Sequence, residues 1–197
     1  MIVKNTTLRN SIRRIVSNHP EVSDIILFGS VARGKDRPHD VDVLVLFTNK
    51  VDKDIEHKIR KEIEKHEQKV SILSKTEKTI FDETFDARES ILFEGISFLS
   101  GQGIAEKNGF LSFGMFKYTF NGWTNLQKTK FYYALNGRGG NQGISSKLGC
   151  IKLSDAVILA PLSGVEEFKE FLDSWKLDYI YVPMLIPIRL GRKKILE

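Results

Sequence analysis

Apolar positions along this chain fall either into a helical repeat or into short unbroken runs. Leu8, Ile12, Ile15 and Val16 lie on one helical face, with Thr6 and Thr7 available as caps and His19-Pro20 as a stop. Ile25 to Phe28 is continuously apolar, the pattern of a strand buried on both faces. Gly29-Ser30 then turns the chain into a brief helix or loop ending at Gly34, and a polar, proline-containing connector comes next. Val41 to Phe47 predicts a second buried strand. Ile55, Ile59 and Ile63 recur at steps of four, so a helix opens at Asp52 or Asp54, with Glu56 and Arg60 paired on its outer face. Lys69 to Leu73 predicts a third strand, and Thr76 is placed to cap a helix running through Phe85. Ile91 to Leu99 fits either helix or strand.

Ser100-Gly101-Gln102-Gly103 is the expected boundary, dividing a domain of residues 1–100 from one of residues 101–197. Beyond this boundary, a helical stretch is expected on either side of Asn121-Gly122. Phe113, Phe116 and Phe120 would be a buried stripe there. A glycine-rich loop spans Gly137 to Gly143, and Val157 to Ala160 reads as a strand. Ser163 with Glu166 has the spacing of a capping box, opening a helix that carries Phe168, Phe171, Leu172 and Trp175 on one side. Tyr179 to Val182 would be the last strand, with Pro183 and Pro187 confining the remaining residues to an edge or tail. The fold class expected is α+β: a small mixed sheet with helices packed on it, then an α/β module.

Composition narrows the class of protein. At 197 residues, 28% charged and 41% hydrophobic, the chain has the make-up of a soluble globular protein. Its longest apolar runs, such as Val43–Phe47 and Ala156–Ala160, are too short to span a bilayer. No secretory signal is evident at the N-terminus, so a cytoplasmic location is expected. A single cysteine, Cys150, excludes an internal disulfide and a multi-cysteine metal site, and a buried small residue is the expected role. His19, His39, His57 and His66 show no metal-ligand spacing.

The net charge of +5 arises entirely beyond residue 100. Residues 1–100 carry 17 Lys/Arg and 17 Asp/Glu, whereas residues 101–197 carry 13 and 8. No acid occurs between Glu106 and Asp155, a stretch holding seven basic residues and nine aromatics. Positive charge neutralises phosphates, and exposed aromatics stack on unpaired bases. Lys128, Lys130, Arg138, Trp123 and Tyr132 are therefore the candidates for contact with a nucleic acid or other acceptor. The alternative is that most of these aromatics are core.

The segment Leu27-Phe28-Gly29-Ser30-Val31-Ala32-Arg33-Gly34, with Asp40-Val41-Asp42 after it, carries the candidate chemistry. Gly29 permits a sharp turn off a strand and a close approach to a ligand. Ser30 opens a helical turn, where free amides and a hydroxyl form an anion site suited to a triphosphate. Asp40 and Asp42, two apart on a strand, project from one face and repel each other unless a cation joins them. Mg²⁺ is a fitting cation, since it binds one or two carboxylates together with substrate phosphates.

Gly29-Ser30, a nine-residue spacer and Asp40-x-Asp42 resemble the signature of the minimal nucleotidyltransferases of the DNA polymerase beta superfamily. Arg33-Gly34 and Ile91-Leu92-Phe93-Glu94-Gly95 share the likeness, which covers about residues 5 to 100. The resemblance implies that Gly29 and Ser30 bind the triphosphate, with Arg33 and Lys35 as further phosphate contacts. It implies that Asp40 and Asp42 are catalytic and hold Mg²⁺ or Mn²⁺. It implies transfer of a nucleoside monophosphate from an NTP to an acceptor hydroxyl, on an RNA end such as tRNA or on a protein. Proteins of this group are often halves of toxin–antitoxin pairs. One position departs from the pattern. Ser71 stands where a third carboxylate is expected to bind metal and take the acceptor's proton, and a serine hydroxyl is no general base at neutral pH. Two aspartates could suffice for slow turnover, or Asp82, Glu83, Asp86 or Glu94 could reach in from the segment after Ser71. The alternative function is a catalytically impaired nucleotide-sensing or nucleic-acid-binding module.

Overall fold

The computed structural model describes residues 5–34, 39–67 and 69–191. The first helix, α1 (Thr6–Ser17), is capped by Asn5, whose side chain accepts from the Leu8 amide. Strand β1 (Val22–Phe28) comes next, then a single 3₁₀ turn over Gly29–Val31. Strand β2 (Val41–Phe47) leads to α2 (Lys53–Glu64), which Asp52 caps by accepting from the amides of Asp54 and Ile55. Strand β3 (Val70–Thr76) runs parallel to β2, as a crossover through a helix requires. Helix α3 (Arg88–Glu94), the two-residue strand β4 (Ile96–Ser97) and the short helix α4 (Ile104–Lys107) come after it.

These elements form a four-stranded mixed sheet in the order β3-β2-β1-β4, with β1 antiparallel to both neighbours. Side-chain alternation divides it into two apolar layers. Ile25, Leu27, Val41, Val43, Val45 and Phe47 bury against Leu8 and Ile12 of α1 and Ile55, Ile59 and Ile63 of α2. Ile26, Phe28 and Leu44 face the other way, onto Ile80, Phe85, Ile91 and Ile104. Asp24 is buried in β1 and fully engaged. Its Oδ1 accepts from the Ile25 amide and the Ser97 hydroxyl, each at 2.8 Å, and its Oδ2 pairs with Lys107 Nζ at 2.8 Å. One carboxylate thus ties β4 and α4 to β1.

The chain divides into two units, Met1–Asn108 and Gly109–Glu197. Ser100-Gly101-Gln102-Gly103 lies inside the first, where Gln102 O accepts from the Ser97 amide and Gly103 bridges Ile96. The second unit begins with β5 (Phe110–Tyr118), then α5 (Asn125–Asn136), the small hairpin β6 (Gly137–Arg138) and β7 (Asn141–Gln142), and α6 (Ile144–Leu148). Strands β8 (Ile151–Ser154) and β9 (Val157–Pro161), helix α7 (Val165–Ser174), the edge strand β10 (Tyr179–Pro187) and α8 (Ile188–Gly191) succeed them. Its sheet is antiparallel in the order β10-β5-β9-β8. Phe116, Tyr118, Ile158 and Ala160 pack on α5 and α7 through Phe131, Leu135, Val165, Phe168 and Leu172. Pro183 and Pro187 sit in β10, tolerated because an edge strand has one unpaired side.

Four local expectations are corrected. Thr76 does not cap a helix: it ends β3 opposite Phe47, and the segment after it is a series of turns. Residues 110–118 are a strand, so Phe113 and Phe116 point to opposite faces instead of forming a helical stripe. The partners that enforce this, β9 and β10, lie far downstream in the chain and are invisible to a local pattern. Ser163 lies within a 3₁₀ turn, and Gly164 stands at the N-cap of α7 without a side-chain bond. At α1, Asn5 takes the capping role expected of Thr6 or Thr7. Among the described residues, no helix is long and apolar enough to cross a membrane.

Candidate active site

Phe28 ends β1 directly opposite Asp42, so the turn after β1 leaves the sheet beside that carboxylate. Gly29 makes the turn at φ +72°, in the left-handed region, and a Cβ at this position would collide with the Asp42 carboxylate. Only glycine meets both demands. The carbonyl of Gly29 accepts from the amides of Ala32 and Arg33, and Val31 O accepts from Gly34 N. The amides of Ser30 and Val31 open the turn, where helix N–H groups have no partner within the helix. Ser30 itself is half-buried there.

Asp42 is half-buried, and Asp40 is exposed just before β2 begins. Burial raises the Asp42 pKa above the ordinary carboxylate range, the neighbouring Asp40 and Glu94 charges raise it further, and Arg33 opposes them. A carboxylate whose ionisation is opposed by its acidic neighbours is a donor suited to a divalent cation, which would relieve that repulsion. Asp40 and Asp42 thus fit the metal that the sequence implies.

Ser71 is exposed and aligned with Asp42 across the parallel β2–β3 pair. The residue in the place of a third carboxylate is therefore a hydroxyl in fact as well as in the sequence pattern. Among the described residues, no third His, Cys, Asp or Glu completes a metal-binding cluster. Of the four acids considered as substitutes, Asp82, Glu83 and Asp86 are exposed, and Asp82 Oδ1 is occupied by the amide and hydroxyl of Thr84. Glu94 alone comes in, with 4% exposure, and both of its oxygens are engaged. Oε1 accepts from the Gly29 amide at 2.8 Å and Oε2 from Arg33 Nη1 at 2.6 Å. The Arg33 guanidinium is thus carried on a carboxylate. Lys35 lies outside the described residues.

The acceptor candidates of the second unit separate into two groups. Trp123, Lys128 and Tyr132 gather around Phe120, with Trp123 at 5.5 Å, Tyr132 at 5.6 Å and the Lys128 ammonium 6.0 Å over the ring. Trp123 also packs on Phe131 and Trp175, so its ring belongs partly to the core. The Tyr132 hydroxyl donates to Asp155 O at 3.2 Å. Lys130 is exposed on α5, and Arg138 on the glycine hairpin lies 4.4 Å over Tyr133. Tyr133, 42% exposed, is absent from the sequence candidates. Its signal is faint, because Phe131-Tyr132-Tyr133 does not reveal which ring faces out until the helix is docked.

One comparison with known proteins, that with a family model, bears on the first unit. Residues 10–94 match the family model described as polymerase beta, nucleotidyltransferase. No curated protein matches the chain. One solved structure that is similar in part is a mutant of the toxin–antitoxin pair MntA–HpeT. It aligns at 15% identity over 46% of this chain and 70% of that one, with a TM-score of 0.35. The family match ends at Glu94, the residue that holds Gly29, and spans the turn, both aspartates and β3. The likeness to the polymerase beta nucleotidyltransferase family thus lies in residues 10–94.

Proposed function

We propose that the chain is a Mg²⁺-dependent nucleotidyltransferase that moves a nucleoside monophosphate from an NTP to an acceptor hydroxyl. The observation that carries this reading is the juxtaposition of the Gly29-Ser30 turn with Asp42 across the β1–β2 pair, inside a domain of matching family. Ser30, with the amides opening the turn, receives the triphosphate, and Arg33 supplies positive charge beside it. Lys35 is proposed as a further phosphate contact. Asp40 and Asp42 hold the cation, Mg²⁺ or Mn²⁺, which neutralises charge on the attacking and leaving oxygens.

In the transfer, the acceptor oxygen forms a bond to the α-phosphorus, the bond from that phosphorus to the bridging oxygen breaks, and pyrophosphate leaves. The acceptor's proton passes to solvent water, because Ser71 offers no carboxylate to take it. Slow turnover is the expected consequence. Phosphoryl transfer depends mainly on positioning and electrostatics, so two aspartates suffice for a measurable rate. The acceptor proposed is an RNA end. The acid-free basic stretch from Lys107 to Ser154 supports a polyanion. Lys128, Lys130, Arg138, Trp123 and Tyr132 are its proposed contacts, together with Tyr133.

Ser71 is also the observation that favours a second reading, a module that binds Mg·NTP and senses it without transfer. Incubating the purified protein with Mg²⁺ or Mn²⁺ and each labelled NTP, with and without total tRNA, separates the two. Label on RNA, lost in Asp42→Asn, supports the transferase; label on protein supports transfer and replaces the acceptor. Binding without transfer in either metal favours the sensor. Neither binding nor transfer would sink both.

A further inference from the structure

Glu94 ends α3 in an otherwise apolar run, Ile91-Leu92-Phe93-Glu94-Gly95, and its side chain is nearly closed off from solvent at 4% exposure. A carboxylate in that setting loses its hydration and persists only with strong donors. It has two, and both come from the loop around Ser30. Gly29 N donates to one oxygen at 2.8 Å and Arg33 Nη1 to the other at 2.6 Å, across 65 and 61 residues of chain. The carboxylate therefore spans the turn, gripping the residue before Ser30 and the residue three after it. Its own base is fixed. Ile91 is fully buried among Ile26, Phe28 and Leu44, and Gly95 N donates to Ile91 O at 2.9 Å, closing the last turn of α3.

We infer that Glu94 is a positioning residue for the nucleotide: it acts through Gly29 and Arg33 to hold the triphosphate-binding turn and aim the guanidinium. The inference rests on the reading of this site as one for Mg·NTP. Each Glu94 oxygen accepts from the turn, one from Gly29 and one from Arg33, and among the described residues Glu94 joins no group of three or more His, Cys, Asp or Glu that could hold a metal ion. Charge-assisted bonds are among the strong ones, so loss of the charge at position 94 corresponds to roughly a tenfold to hundredfold effect on what it positions.

The test is a binding cycle on the full chain, with Mg²⁺ and each of the four NTPs as probes. It compares wild type, Glu94→Gln, Arg33→Gln and the double variant, with the thermal midpoint of each recorded. Glu94→Gln retains an oxygen for the Gly29 amide but removes the charge that holds Arg33. The expected result is a Kd about tenfold or more higher for each single variant. The double variant is expected to be no more than about twofold weaker than Arg33→Gln, since both changes remove one coupled interaction. Wild-type affinity in Glu94→Gln, or losses that add in the double variant, would overturn the inference. If Glu94→Gln does not fold, Arg33→Gln carries the decision, because it leaves the Glu94–Gly29 bond intact; unchanged binding there also overturns the inference. Absence of Mg·NTP binding in the wild type would instead remove the reading on which the inference stands.

Discussion

Single residues carry the sharpest expectations. Gly29 combines a left-handed φ with a backbone pressed against Asp42. Gly29→Ala should therefore cost about 1–2 kcal/mol in backbone strain alone and displace the carboxylate as well. A lower urea midpoint together with weakened Mg·NTP binding is the expected pair of results; loss of stability without loss of binding would show that the turn is not the site. Cys150 offers a check of a different kind. Burial pushes its thiol up to about 12, so at a pH of about 8 almost none is thiolate in the folded state. Thiol labelling at that pH should be slow on the native protein and fast in denaturant, and equally fast labelling in both would contradict the packing around Cys150. Gly29, Ser30, Asp40 and Asp42 are legible in the sequence because each has a conformational or charge requirement expressed within a few residues. The two bonds of Glu94 are not, because they join positions 65 and 61 residues apart.

Elements differ in how locally they are encoded. Helix α2 has its apolar stripe, its Asp52 cap and its outer ion pairs all within its own sequence, and it forms where that pattern predicts. Removing the cap in Asp52→Ala should cost about 1 kcal/mol. Ile59, with no exposed surface, should cost about 2–5 kcal/mol as alanine, whereas exposed Lys61→Ala should be close to neutral. Chemical denaturation of the three variants tests this order, and comparable losses at Ile59 and Lys61 would contradict the docking of α2 on the sheet. Strand β5 is the opposite case. Its sequence of Phe, Gly, Met and Phe resembles a helical stripe in isolation, and becomes a strand because β9 and β10 pair with it on either side. Thr76 shows the same competition, since pairing of β3 alongside β2 carries the strand up to the residue that could have started a helix.

At the scale of the whole molecule, the two units should respond differently to alkali. Burial raises the pKa of Tyr118, Tyr132 and Tyr179, all in the second unit, above that of a free phenol. At Tyr179 the charges of Asp173 and Glu166 add to the effect of burial. The protonated phenols are therefore favoured in the folded state. Their contribution is fully present below the unfolded value of about 10 and is lost as pH rises through the higher folded values. Urea unfolding followed by tryptophan emission, which reports Trp123 and Trp175 of the second unit, should show stability falling from about pH 10 upward. Tyr118→Phe should flatten that fall, and an unchanged slope would mean that Tyr118 is not protected as its burial indicates.

The sequence by itself determined the candidate chemistry of the first unit and most of its local structure. A turn that needs glycine, a strand end bearing two carboxylates and a helix with its own cap are all short-range demands, and the spacing of residues 29 to 42 expresses the first two. It also showed Ser71 in the place of a carboxylate, which β2–β3 pairing then set beside Asp42. Only the tertiary structure decided which acid reaches that site and which rings of the second unit stay outside its core. Those outcomes depend on burial and on partners distant in the chain. Glu94 is drawn in because α3 packs on β1 and its carboxylate finds two donors there, while Tyr133 is left exposed because Phe131 fills the core beside it.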